Sequence, residues 1–351
     1  MRNRWMALLI ASVMLLAVLL PAGLAGAEKA AERQITDMAG RTMTVPQQID
    51  SVFPTGPVAA IYVYTLAPEK LAGWNYPLNA DEKAYIPEQY HALPSFGVGS
   101  AVNYEAVIAA APTIALSVGQ ISDALIGEAD TLARTLGMPV VCIDEELLST
   151  AEAYRFLGSL LGVAERGERL AGYAQETLQV TAAMPREQQV RLYYGNGEDS
   201  LETAPAGSSH FQTFEMAGAI NAAQLELGDG HRVQISPEQL LAWDPEVIIV
   251  SGEAKAGLSG GVAAEALKAN PLFATLSAVQ EDRVYGAPCL PFGWLDRPPG
   301  PNRLIGLRWL CGLLYPEPLG QDLPKEIQTF FSLFYHTELT DEQAAAFIPL
   351  P

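Results

Sequence analysis

Two stretches decide how this chain is read: Tyr104–Gly119, YEAVIAAAPTIALSVG, and Pro237–Gly252, PEQLLAWDPEVIIVSG. In each, a glutamate (Glu105, Glu238) is followed seven residues on by proline (Pro112, Pro245) and fourteen on by glycine (Gly119, Gly252). A short apolar helix signal precedes the proline, and an apolar run of strand length follows it. The proline ends the helix because it has no amide hydrogen for the ladder and crowds its predecessor out of helical geometry. The glycine permits a tight turn where the strand stops. Helix-to-strand units recur by chance in α/β chains, but matched glutamate, proline and glycine offsets over sixteen residues point to two related lobes. Each glutamate falls at the start of its helix, where the dipole favours a carboxylate and keeps it at the surface.

Working outward, the flanks repeat the same alternation. Ile35–Pro46, ITDMAGRTMTVP, reads as a hairpin turning at Ala39-Gly40. Strand signals follow at Ile49–Phe53, Leu71–Trp74, Thr113–Val118 and Val140–Ile143, with helices over Tyr104–Ala111 and Ser122–Leu136 and one opening at Pro57. Thr150–Ala183 carries a sustained helical pattern, punctuated only by Gly158, Gly162, Gly167 and Gly172. After Pro185 a second set of short elements begins with Val190–Tyr194 and includes Val247–Val250 and Arg283–Tyr285. It ends in helices over Asn302–Leu314 and Lys325–Tyr335. The pattern predicts an α/β fold of two Rossmann-like lobes with mainly parallel sheets, joined by a helical segment. The expected boundaries are 28–160 for the first lobe, 161–187 for the linking helix and 188–351 for the second lobe.

Composition narrows the partners. The 351 residues are 49% hydrophobic and 17% charged, enough for about two domains. With 21 Lys plus Arg against 40 Asp plus Glu, the net charge of −19 repels phosphate backbones and excludes a nucleic-acid partner in practice. Cys142, Cys289 and Cys311 form no CxxC pair, so at most one disulfide is available, with Cys289 and Cys311 the pairing left open.

The N-terminus carries Arg2 and Arg4, a dense apolar core over Met6–Leu20, and Ala25-Gly26-Ala27 before Glu28. This is the pattern of a secretory signal peptide over residues 1–27, with cleavage near Ala27. An uncleaved anchor is the alternative, since the uncharged run reaches the ~20 residues that span a bilayer. Pro21, Gly23 and Gly26 break its end and favour cleavage. A lipoprotein needs a cysteine at the cleavage point, and none precedes Cys142. The expected location is the periplasm.

With these elements in order, the chain resembles the substrate-binding proteins of bacterial ABC importers for iron-siderophore, haem and cobalamin, the helical-backbone class. The resemblance rests on ITDMAGRTMTVP, on the echoed units, on HFQTFEMAGAIN (His210–Asn221) and on NRLIGLRWLCGLLYPE (Asn302–Glu317), in that order and spacing. It implies two lobes facing across a ligand cleft, a single long helix between them that restrains closure, no cofactor and no enzymatic activity. It also implies that Glu105 and Glu238 dock onto arginines of an ABC permease dimer in the inner membrane. A solvated helix cap is the plainer reading of either glutamate.

Open α/β lobes bind ligands at the carboxyl ends of their strands. The loops there offer Thr55, Trp74, Tyr76 and Ser117 in the first lobe. In the second they offer Tyr194, Asn196, His210, His231, Arg232, Trp294 and Arg297. Aromatic faces suit a bulky metal chelate, and arginine suits anionic oxygens through its planar fork of donors. The bland alternatives are lobe packing for the tryptophans and a surface ion pair for Arg297. His210 and His231, twenty-one apart, do not have metal-ligand spacing. Four histidines, with His91 and His336 completing the set, argue against a bare-metal receptor.

The expected cargo is a small-molecule metal chelate, with iron-siderophore ahead of corrinoid or haem. One alternative keeps the fold and binds an oxyanion such as molybdate or tungstate, held by backbone amides, Thr55, Ser117 and arginine. The other is an exported α/β enzyme acting on a chelate. HExxH and GxxxxGK[ST] are absent. The run Asp144-Glu145-Glu146 reads most simply as solvated surface.

Overall fold

The computed structural model describes residues 31–184, 189–226, 232–253, 258–315 and 322–348. The expected leader and His231 lie outside the described residues. The hairpin forms from β1 (Glu32–Thr36) and β2 (Thr42–Pro46), antiparallel with Ile35 opposite Met43. Asp37 shapes its turn by accepting from the Ala39 and Arg41 amides, and its second oxygen accepts from the Cys142 amide at 3.0 Å. One buried carboxylate thus both closes the turn and pins the hairpin to the sheet behind it.

The first sheet is parallel, in the order β3 (Val52–Pro54), β4 (Ile114–Gly119), β5 (Val140–Asp144). Leu71–Trp74 contributes only isolated bridges at its two ends, to Val52 and to Ser95, and is not a strand. In the second sheet β6 (Val190–Asn196), β10 (Val247–Val250) and β13 (Val284–Gly286) are parallel, with β10 in the middle. The other edge of β6 is shared by β8 (Ala219–Asn221) and β7 (Glu202–Thr203), and β7 pairs on with β9 (Val233–Gln234). A short ribbon of β11 (Gly252–Glu253) and β12 (Leu258–Ser259) leaves the end of β10.

Helix α1 (Pro57–Leu66) follows β3. The echoed stretches fold alike. Helices α2 (Tyr104–Ala110) and, later, α7 (Pro237–Trp243) each have seven residues. Asn103 and Ser236 cap their N-termini through side-chain bonds to the Ala106 and Gln239 amides. Each helix closes on a left-handed residue, Ala111 at φ 46° and Asp244 at φ 40°, directly before the proline. The strand that follows has a parallel partner on each side, and the pairing repeats too: Ile114 opposes Val52 and Val247 opposes Leu192.

Alternation along the strands partitions the core into three. Phe53, Ala115, Val140 and Cys142 face an outer cluster, covered by α2 and α3 (Asp123–Leu136). Tyr193, Ile248, Val250 and Val284 face a second, covered by α7 and α8 (Gly260–Ala269). Their neighbours Val52, Ile114, Leu116, Val141, Leu192, Tyr194, Val247 and Ile249 all belong to one central cluster common to both lobes. The lobes therefore keep private outer cores and share an inner one.

That inner core is built on helices α4 (Thr150–Leu161), α5 (Ala164–Ala182), α9 (Arg303–Leu314) and α10 (Leu323–Phe330), with α6 (Gln212–Met216) beside β8. The sustained helical signal proves to be two helices, because Gly162 turns left-handed at φ 75° and ends the first. They pack face to face through glycine. A Cβ added at Gly167 would lie 2.6 Å from the Tyr154 carbonyl and 2.9 Å from Gly158 Cα. Helix α5 runs for 19 residues, about 28 Å at the usual rise. Among the described residues no helix is long and apolar enough to cross a membrane.

Candidate functional site

The site is organised around a residue that sequence reasoning passed over. Asp296 is 1% exposed, yet three side chains from three segments converge on its carboxylate. Tyr194, near the end of β6, donates to Oδ1. His210 Nδ1 lies 2.9 Å and Arg232 Nη2 3.1 Å from Oδ2. Burial by itself raises the Asp296 carboxyl, but the His210 bond, the Arg232 charge and the Tyr194 hydroxyl outweigh it and hold the group below the usual carboxylate range. The phenol of Tyr194 is pushed well up, first by burial and then by the adjacent carboxylate. Arg232 Nε is a buried donor with no partner among the described residues. Its guanidinium is thus anchored at one corner and unsatisfied at another.

Three of the expected ligand residues, Tyr194, His210 and Arg232, therefore meet, and Arg297, next to Asp296, adds its positive charge near Tyr194. Asn196 lies at the end of β6, fully buried, accepting from Ser251 Oγ at 2.8 Å and so tying β6 to the end of β10. In the first lobe Thr55 is partly exposed just beyond β3, its amide bonded to the Leu116 carbonyl. Ser117 alternates onto the same face of β4 as Ala115, toward the outer helices. Tyr76 is 54% exposed. The buried Asn75 before it bonds the Pro54 and Gly97 carbonyls, which fastens the Tyr76 loop to the end of β3.

The tryptophans are packing residues. Trp74 is buried against Tyr64 and Phe292, its indole nitrogen donating to the Tyr90 carbonyl at 2.9 Å. Trp294 is fully buried, stacked on Phe347 at 4.9 Å and bonded to the Leu290 carbonyl. Both indole N–H groups are satisfied inside the fold, and both rings are spent on packing. The stretch around Trp294 is instead a seam between lobes. Phe292 packs on Tyr64, Gly300 lies against Val58 and Ile61 of α1, and Asp296 reaches the second-lobe cluster.

The acidic run after β5 is not simple surface either. Arg303, buried at the start of α9, donates Nη2 to the Glu145 carbonyl and Nη1 to Gln212 Oε1 at 2.8 Å. Gln212 Nε2 donates to the Glu146 carboxylate, and Gln212 Oε1 also accepts from the Leu147 amide. Burial pushes the Glu145 carboxyl up, with Arg303 opposing. These bonds join the C-terminal end of the first sheet to a residue two positions from His210.

Glu105 and Glu238 are both exposed, each the second residue of its helix. The Glu238 carboxyl is held below its usual value by its own backbone amide and by Ser236. Cys289 is exposed while Cys311 is buried in α9, and the two are not bonded to each other. Among the described residues no group of three or more His, Cys, Asp or Glu is arranged to hold a metal ion. Residues 257–261, GLSGG, carry the spacing of a serine-hydrolase elbow. Ser259 Oγ, however, serves as the N-cap of α8, accepting from the Val262 amide at 3.3 Å.

A family model described as periplasmic binding protein matches residues 70–289, more than half of the chain. The chain belongs to the periplasmic binding protein family. No curated protein matches it. Among solved structures, this binding protein is similar to an ABC transporter solute binding protein from Sulfurospirillum deleyianum. The TM-score is 0.80 at 25% identity, over 90% of this chain and 98% of that one. It is also similar to a periplasmic solute binding protein from Veillonella parvula, with TM-score 0.69, 22% identity and coverage of 91% and 97%. A third likeness is to the molybdate-bound periplasmic binding protein MolA of Haemophilus influenzae, with TM-score 0.69, 20% identity and coverage of 88% and 99%. The two-lobed fold of ABC-importer binding proteins is thereby established for this chain, as the echoed sequence led us to expect.

Proposed function

We propose that this binding protein works in the periplasm after loss of residues 1–27, captures an anionic metal chelate between its lobes and delivers it to an ABC permease dimer. The observation that carries the delivery half is the matched pair Glu105 and Glu238, exposed at the same position of two equivalently capped helices. Two like charges at matching places on related lobes suit a partner with its own twofold repeat. The chelate half is supported by the Asp296 cluster, which anchors Arg232 while leaving a buried guanidinium donor unsatisfied. Such a donor is costly without an acceptor, and an anionic oxygen of a bound ligand supplies one. Thr55, Ser117 and Tyr76 are the first-lobe candidates for the remaining contacts, with Asn196 and Arg297 opposite.

A second reading, an oxyanion such as molybdate or tungstate, is favoured by the same arginine and by likeness in fold to molybdate-bound MolA. Native mass spectrometry with metal analysis, on protein purified from its own host, separates the two. A bound mass of chelate size carrying one metal supports the first, and a bare oxyanion replaces it with the second. Protein that consistently carries neither, and that binds no ferric chelate, corrinoid, haem, molybdate or tungstate in fluorescence titration, overturns both.

A further inference from the structure

Gln212 and Arg303, bonded to each other within the second lobe, both reach across to the loop Glu145–Leu147 of the first. Gln212 is oriented without ambiguity: its oxygen faces two donors, Arg303 Nη1 and the Leu147 amide, and its nitrogen faces the Glu146 carboxylate. Rotating the amide would break all three bonds. Arg303 is 2% exposed, and besides these partners it feels the charges of Glu146 and Asp296, one from each lobe. A buried cation between acids on two bodies has one arrangement in which its desolvation is offset, and separating the bodies forfeits it.

The same elements reach the ligand cluster by short covalent paths. His210 sits in the single turn Ser209–Phe211 that runs straight into Gln212. Asp296 precedes Arg303 by one tight loop, whose Asn302 side chain bonds the Gly293 and Pro298 carbonyls.

We propose that Gln212 and Arg303 are positioning residues that clasp the second lobe to the loop after β5, and so transmit the state of the His210–Asp296–Arg232 cluster to the spacing of the two lobes. Cargo that moves His210 or Asp296 shifts the clasp, and with it the separation of the helices bearing Glu105 and Glu238. The link to docking rests on the proposed permease contact. The clasp itself requires neither cargo nor permease, so its test is independent of that reading.

The experiment is a spin-label distance measurement on the full mature chain, with Cys289→Ser and labels at Ile108→Cys and Val262→Cys. These two positions are 62% and 58% exposed on helices of opposite lobes. The unliganded protein gives one narrow distance. Gln212→Ala adds a second, longer-distance population while far-UV circular dichroism is unchanged. The exchange Gln212→Glu with Glu146→Gln reverses donor and acceptor across the gap, keeps every bond, and returns the distribution to a single narrow peak. A distribution that Gln212→Ala leaves unaltered overturns the proposal. So does broadening that the exchange fails to reverse, since a general loss of packing would not be repaired by swapping an amide and a carboxylate. Arg303 is left intact because removing a buried cation risks the fold.

Discussion

Asp296 and Arg232 form a 3.1 Å ion pair in which the acid is buried and the base is only partly so. The acid is thus the fixed member, and under the proposed function the base is the one offered to cargo. This ordering governs what substitutions should do.

Arg232→Gln should lower cargo affinity by about tenfold or more, the cost of one charge-assisted bond, and cost only about 1 kcal/mol of stability, since the amide can keep a hydrogen bond to the buried Asp296 carboxylate. Trp74→Ala should do the opposite, costing about 3–5 kcal/mol of stability through loss of a buried ring and orphaning the Tyr90 carbonyl. Parallel titration and denaturant unfolding of both variants check the contrast. A Trp74→Ala protein of normal stability and no affinity would return that ring to the ligand wall.

Replacing Glu105 and Glu238 together by alanine should abolish uptake in cells and leave cargo affinity within about twofold, because an exposed interface charge acts on the partner alone. Transport assays beside solution titrations test it, and undiminished uptake removes both residues from the docking surface.

Acid sensitivity follows from Asp296. Its carboxyl is held below the ordinary value of ~3.9, so the unfolded chain takes up a proton before the folded one does. The stability it contributes is complete above the unfolded value and disappears as pH falls through the lowered one. Asp296→Asn should cost about 3 kcal/mol at pH 7, and the gap to wild type should narrow below about pH 4. Glu145 runs the other way, since burial raises it, but it is common to both proteins. Denaturant curves at pH 7 and pH 3 supply the measurement.

The glycine crossing gives a paired prediction. Gly167→Ala forces a methyl group to within 2.6 Å of the Tyr154 carbonyl and should destabilise by about 1–3 kcal/mol. Gly172→Ala, exposed on the same helix with nothing within 4 Å, should stabilise by about 0.5–1 kcal/mol. Equal effects at both sites would contradict close contact between α4 and α5.

What could be read from the sequence was what neighbouring residues impose on one another. Proline and glycine at fixed offsets from a glutamate were enough to find the duplicated unit, because helix ends and turns are decided within a few residues. Asp296 was out of reach for the opposite reason. Its partners lie 102, 86 and 64 positions away, and nothing in LDRP distinguishes an acid that gathers them from one paired with its neighbour. The burial of Trp74 and Trp294 was not legible either, because a residue's place before a turn does not say which way its ring points. Glu145 and Glu146 read as surface in the sequence because Arg303, which draws that loop inward, lies 158 positions from Glu145.

The shared interior bears on how such a receptor acquires a new guest. Val52, Ile114, Leu192 and Val247 all press on one set of helices, so a half taken from a distant cousin would meet a mismatched partner and fit poorly. Change by swapping halves is closed to this architecture. Novelty has to come from the short connections at the strand tips, one residue at a time, while the middle stays as it was.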